Sequence, residues 1–127
     1  MSEPLIVIDV SEIREGKLEA LKRAMRALAD FVDAHEPEPI AYHVYFDQGD
    51  KRMTVFQIHP TSESMETHMK VAGSEFPGLS EFLTLVRIDV YGAPSDLLLE
   101  QLRNKAAMLG NAEVAVHELH AGFARLA

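Results

Sequence analysis

The stretch from Met53 to Gly73, MTVFQIHPTSESMETHMKVAG, constrains the fold more than any other part of the chain. Met53 to His59 reads as a strand, Pro60 opens a turn, and a short helix follows at about Ser62 to Val71. Within that helix Met65, His68, Met69 and Ala72 stand at i, i+3, i+4 and i+7, so one face points inward and carries an imidazole. Thr61 or Ser62 supplies the N-cap, and Glu63 and Glu66 lie near the positive end of the helix dipole. A strand that turns directly into an amphipathic helix calls for a sheet with helices packed on it.

The rest of the chain fits that demand. Leu5 to Ile13, LIVIDVSEI, is a β-branched run and predicts the first strand. After Gly16 a long helix runs from Lys17 to about His35, with Leu18, Leu21, Met25, Leu28 and Val32 at helical spacing. Lys17, Lys22, Arg23 and Arg26 fall largely outside that stripe, as a solvated face. Pro37 and Pro39 stop the helix, and Ile40 to Asp47 forms the next strand. Asp47-Gln-Gly-Asp50 predicts a hairpin turn with Gly49 at positive φ. Ser74 to Phe82, interrupted by Pro77-Gly78, predicts an irregular turn with helical pieces, and Leu83 to Tyr91 is the fourth strand. The order is β-α-β-β-α-β, the split arrangement of ferredoxin-like α+β folds. A C-terminal extension follows. Ser95 caps a helix to Leu109, Gly110-Asn111 ends it, and a last strand runs from Glu113 to about Arg125. The 127 residues are expected to form one domain, 1–127, with a core at 5–91 and an extension at 95–127.

Alternation sorts each strand into two faces. One set is Ile6, Ile8, Val10, Ile40, Tyr42, Val44, Phe46, Phe56, Ile58, Val86, Ile88 and Val90, almost wholly apolar and expected to lie under the helices. The opposite set mixes Leu5, Val7, Met53, Val55 and Leu85 with Asp9, Ser11, His43, Tyr45, Gln57, His59, Arg87, Asp89 and Tyr91. A face left to solvent should be mostly polar. The cheapest cover for a mixed one is the same sheet of a second copy, so a homodimer through the mixed face is expected, with a cavity between the two sheets.

Composition removes several classes. A net charge of -8 argues against nucleic acid and against anionic membrane surfaces. The absence of cysteine removes disulfides, thiolate chemistry and cysteine-ligated metals. No apolar run reaches the 18 or so residues of a membrane span, and the N-terminus lacks the basic start and apolar core of a secretory signal. The cytoplasm is the expected location.

The element order and the segment FQIHPTSESMETHMKVAG, together with the closing Arg87-Ile-Asp-Val-Tyr91, resemble the antibiotic-biosynthesis-monooxygenase-like family. The resemblance covers about Leu5 to Tyr91. It implies a dimeric α+β barrel built from ferredoxin-like protomers. Members of that superfamily include cofactor-independent monooxygenases acting on quinols and polyketides, haem-degrading enzymes and proteins of no known activity. The implied reaction is oxygen insertion without metal or flavin, so no cofactor is expected, and the ligand is an aromatic or quinone-like small molecule. Only the helical histidine of the family's catalytic sets carries over, to His68. The chain has no tryptophan, and its only asparagines, Asn104 and Asn111, lie outside the resembling region.

Read from its residues, His68 is the candidate general base, because an imidazole can be tuned to titrate near neutrality. The plain alternative is a half-buried histidine bonded to a backbone carbonyl. His43, Tyr45, Arg87, Asp9 and His59 are the candidate ligand-binding residues. Two histidines and a carboxylate among them could hold Fe(II) or zinc only if they converge, and their spacing gives no such signal, so no metal is expected. His117 and His120 in VHELH would face opposite sides of a strand. The competing function is a non-enzymatic ligand-binding or interaction protein of the same fold.

Overall fold

The sheet is built outward from its central strand, β1 (Leu5–Ile13). In the computed structural model, which describes residues 3–126, β1 pairs antiparallel with β3 (Arg52–His59) on one side and β4 (Leu83–Tyr91) on the other. β2 (Ala41–Phe46) lies outside β3, and β5 (Glu113–His117) runs parallel to β4 at the opposite edge. The order is therefore β2-β3-β1-β4-β5. The first four strands have the ferredoxin-like arrangement read from the sequence. Helix α1 (Leu18–His35) connects β1 to β2, and α2 (Ser62–Ala72) follows β3. A 3₁₀ turn at Gly73–Glu75 and the single turn α3 (Phe76–Leu79) lead to β4. Helix α4 (Asp96–Leu109) then carries the chain to β5.

The helices keep the stripes that the sequence spells out. Leu21, Met25, Leu28 and Val32 of α1 are buried, each contributing roughly 2 kcal/mol of apolar burial. The inward stripe of α2 is Met65, His68, Met69 and Ala72, as the spacing predicts. Thr61 caps α2 by accepting a hydrogen bond from the Ser64 amide at 3.1 Å, and Ser95 caps α4 from the Leu98 amide at 3.0 Å. The two caps are tied together. Ser95 Oγ donates to Glu66 at 2.6 Å, and the Ser95 amide donates to Ser62 Oγ at 3.0 Å. The C-terminal extension is thereby fastened to the core.

The assignment of faces needs correction. Register pairs Leu5, Val7, Asp9 and Ser11 of β1 with His59, Gln57, Val55 and Met53 of β3, and it is this mixed set that lies under the helices. Ile6, Ile8, Val10, Phe56 and Ile58, expected beneath the helices, lie on the opposite, helix-free face and are only half-buried. The inner face tolerates Asp9, Gln57 and His59 because the helices bring polar partners to them. β4 is split by a bulge: Val10 pairs with Arg87 but Ser11 with Leu85, which leaves Val86 as the extra residue. Leu83 and Leu85 therefore share the inner face with Ile88 and Val90, while Arg87, Asp89 and Tyr91 stay on the outer one. The mixed face of the central strands is already covered by the chain's own helices, so it is not the surface on which a second copy could pack.

The last strand ends at His117, and residues 118–126 carry no regular structure, so His120 lies beyond the strand. In the β2–β3 hairpin the left-handed residue is Asp50, with φ 53°, and not Gly49. Asp tolerates that region, and the Asp47 carboxylate accepts from the Lys51 amide at 3.0 Å to hold the turn.

Candidate active site

Between the sheet and the helices the chain buries an unusual number of polar groups for its size. His59, His68, Gln57, Ser64, Glu36, Asp9, Ser11 and Lys105 are all buried. His68 reaches the chamber from the inward stripe of α2. Glu36 is the residue after α1, and it precedes Pro37, which steers it out of helical geometry into an extended conformation. That turn swings its carboxylate under α2, where both oxygens lie 3.0 Å from His68 Nδ1. A carboxylate can only accept, so Nδ1 carries the hydrogen. Among the described residues Nε2 of the same ring has no hydrogen-bond partner. A neutral His68 thus presents a free lone pair, with Glu36 holding the tautomer.

His59 is differently placed. Its Nε2 donates to Gln57 Oε1 at 2.9 Å, and its Nδ1 accepts from the Ser64 hydroxyl at 2.7 Å. Burial, with the neighbouring His68 adding to it, pushes its pKa down to about 4. Both nitrogens are satisfied and the ring is neutral at pH 7. It positions α2 against β3 and has no free nitrogen for a ligand.

The second ion pair joins Lys105 Nζ to Asp9 Oδ2 at 2.9 Å. The ammonium also lies 4.5 Å over the ring of Phe76. Tyr42 and Phe76 bridge the two pairs. Tyr42 sits 5.5 Å from the His68 ring and Phe76 6.3 Å from it, centroid to centroid. Burial, then the carboxylates of Asp9 and Glu36, push the Tyr42 hydroxyl above its ordinary pKa. A cavity of about 20 Å³ lies among these groups, lined by Asp9, Ser11, Tyr42, Phe76 and Lys105 and closed by apolar side chains. An open groove of about 860 Å³ runs outside it between α1 and β2, and Met25 and Tyr42 line both spaces. These two side chains form the wall between groove and chamber.

The residues singled out from sequence therefore divide. His68, Asp9 and His59 lie in the chamber, whereas His43, Tyr45 and Arg87 lie on the far face of the sheet. His43 Nδ1 pairs with the Tyr45 hydroxyl at 3.0 Å. Arg87 forks onto Asp89 at 2.7 and 2.9 Å and reaches Glu113 at 2.8 Å. His117 donates to Asp89 at 2.8 Å, and these bonds, Arg87's foremost, hold the Asp89 carboxyl below the usual range. Glu36 and Lys105, two charged residues of the chamber, escaped the sequence reading, and so did Ser64. Lys105 had a legible signal. It stands at i+7 from Leu98 and i+3 from Leu102, on the buried stripe of α4, where a cation needs a partner. Among the described residues no three His, Asp or Glu side chains converge as a metal-ligand set.

Comparison with known proteins bears on the fold. No family model matches the chain, and no curated protein matches its sequence. Solved structures do match. A putative antibiotic biosynthesis monooxygenase from Nitrosomonas europaea superposes with a TM-score of 0.61 at 17% identity, over 73% of this chain and 92% of that one. Another from Deinococcus radiodurans gives 0.61 at 18%, over 72% and 93%. The fold is that of the antibiotic-biosynthesis-monooxygenase-like proteins. MupZ of Pseudomonas fluorescens shares more of it, with a TM-score of 0.75 at 19% identity over 98% of this chain and 91% of that one. That likeness takes in α4 and β5, the extension that brings Lys105 into the chamber of this monooxygenase-like fold. No helix is long and apolar enough to cross a membrane among the described residues.

Proposed function

We propose that this protein is a cofactor-independent, monooxygenase-like enzyme acting on an aromatic or quinone-like small molecule held between the helices and the sheet. The observation that carries the reading is the His68–Glu36 pair, whose free Nε2 belongs to a base in a water-poor chamber. His68 takes the proton of an acidic hydroxyl or activated methylene. The substrate carbanion then supplies the electrons that reduce O₂. For an anthrone-type methylene, one oxygen atom becomes the carbonyl at that carbon, and the other leaves as water with the two hydrogens the carbon carried. The likeness in fold to monooxygenase-like structures supports the same reading.

The substrate enters from the groove between α1 and β2 by displacing Met25 and Tyr42, since the cavity as it stands has room for little more than one water. The narrowness of that cavity is the one observation favouring the competing reading, a non-enzymatic interaction module. Oxygen uptake on mixing the protein with an anthrone or a dihydroxynaphthalene decides between them. Uptake above the uncatalysed rate, lost in His68→Ala, supports the enzyme. No uptake with either class overturns it.

We also propose a homodimer, through the helix-free face. Ile8, Val10, Phe56 and Ile58 form an apolar strip there that no described helix covers, and Ile6 lies at its end beside the 117–124 segment. A second copy related by a twofold axis presents the same strip in return.

A further inference from the structure

We infer that Lys105, Ser11 and Tyr42 form a pocket for a single ligand oxygen that shares a negative charge: a carbonyl, enolate or phenolate oxygen. The inference rests on the proposed function for its substrate class and goes beyond it in naming where the charge produced by deprotonation is held. The geometry is that of a small cavity lined by donors. An ammonium has three N–H donors, and Lys105 uses one of them, on Asp9 Oδ2 at 2.9 Å. Among the described residues neither its other donors nor the hydroxyls of Ser11 and Tyr42 have a hydrogen-bond partner. All three side chains line the cavity of about 20 Å³. That volume suits one oxygen atom or one water, with the several polar contacts such an occupant requires.

The surrounding charges narrow the ligand class further. Asp9 from β1 pairs with the ammonium and offsets part of its field, and Glu36 stands near Tyr42 from the end of α1. A full carboxylate or phosphate would meet both anions. An oxygen with partial or delocalised charge meets mainly the donors, and they are already oriented before any charge develops. Phe76 lies 4.5 Å from the Lys105 ammonium and 6.3 Å, centroid to centroid, from the His68 ring, so its ring stands near both the donors and the base. Because Lys105 arrives on α4, the extension supplies the charged half of the site.

The probe is 4-nitrophenol, whose anion is yellow and whose ionisation is read directly. Bound to the intact protein, its titration midpoint is expected about 1 pH unit or more below that of the free phenol. Lys105→Met alone strands the Asp9 carboxylate in the core, so the variant for comparison is Asp9→Asn with Lys105→Met, which removes both charges. In that double variant the shift is expected to vanish. A shift that survives in it overturns the pocket, as does wild-type protein that leaves the phenol unbound or binds it without a shift. Oxygen uptake dependent on His68, alongside an unshifted phenol, overturns the pocket and leaves the reaction standing. A shifted phenol with no oxygen uptake does the reverse.

Discussion

Glu36 places both of its carboxylate oxygens 3.0 Å from Nδ1 of His68, and the two side chains are 2% and 1% exposed. A pair so thoroughly removed from water couples the end of α1 to the inward face of α2, and its loss has a structural as well as a chemical consequence. Glu36→Ala leaves a buried N–H without an acceptor and is expected to lower stability by about 2–3 kcal/mol. Glu36→Gln keeps an acceptor and should lose much less. Urea unfolding of the two variants checks this, and equal midpoints for both would remove the pair from the account.

The neutral His59 makes stability depend on pH with a definite sign. Its folded pKa, about 4, lies below the unfolded value of 6.5, so between those values the unfolded chain binds the extra proton. The contribution is complete above about pH 6.5 and is lost as the pH falls toward 4, a total of roughly 3 kcal/mol. His59→Gln is expected to flatten that slope in thermal melts taken between pH 4 and 7. A wild-type profile already flat across this window would contradict the assignment.

Gly110 ends α4 at φ 145°, and a Cβ there would meet Thr84 Cγ2 at 2.7 Å and the Leu85 carbonyl oxygen at 2.9 Å. Gly110→Ala is therefore strained in backbone and in contact at once. It should destabilise the chain by about 2 kcal/mol, and hydrogen exchange should accelerate first along α4 and β5. Uniform exchange rates in the variant would show that the extension is not pinned at this point.

The apolar strip on the open face predicts association. Light scattering at micromolar concentration should give the mass of two chains, and Phe56→Asp, which sets a charge in the middle of the strip, should give one. A wild-type monomer would leave that surface without the proposed partner.

The order of elements was legible because each helix keeps its stripe and each strand its β-branched run: β1, β4 and the end of α4 fall where the sequence places them. The choice of inner face was not legible. Alternation divides Leu5, Val7, Asp9 and Ser11 from Ile6, Ile8 and Val10, but which group faces the helices depends on partners elsewhere in the chain, namely Lys105 for Asp9 and Ser64 for His59. The bulge at Val86 is equally silent in sequence, and it moves Leu85 to the opposite side from Arg87. His68 was found because helical spacing reports direction. Glu36 escaped because an irregular residue after a helix has no periodicity to report.

Amide chemical shifts, followed by NMR while a dihydroxynaphthalene is titrated into the protein, test most directly whether the interlayer chamber is the binding site. Saturable changes are expected centred on Tyr42, His68, Phe76 and Lys105, with Met25 at the entrance. Changes confined to Arg87, Asp89 and His117 on the far face of the sheet, or no changes at all, would show that the chamber is not the site.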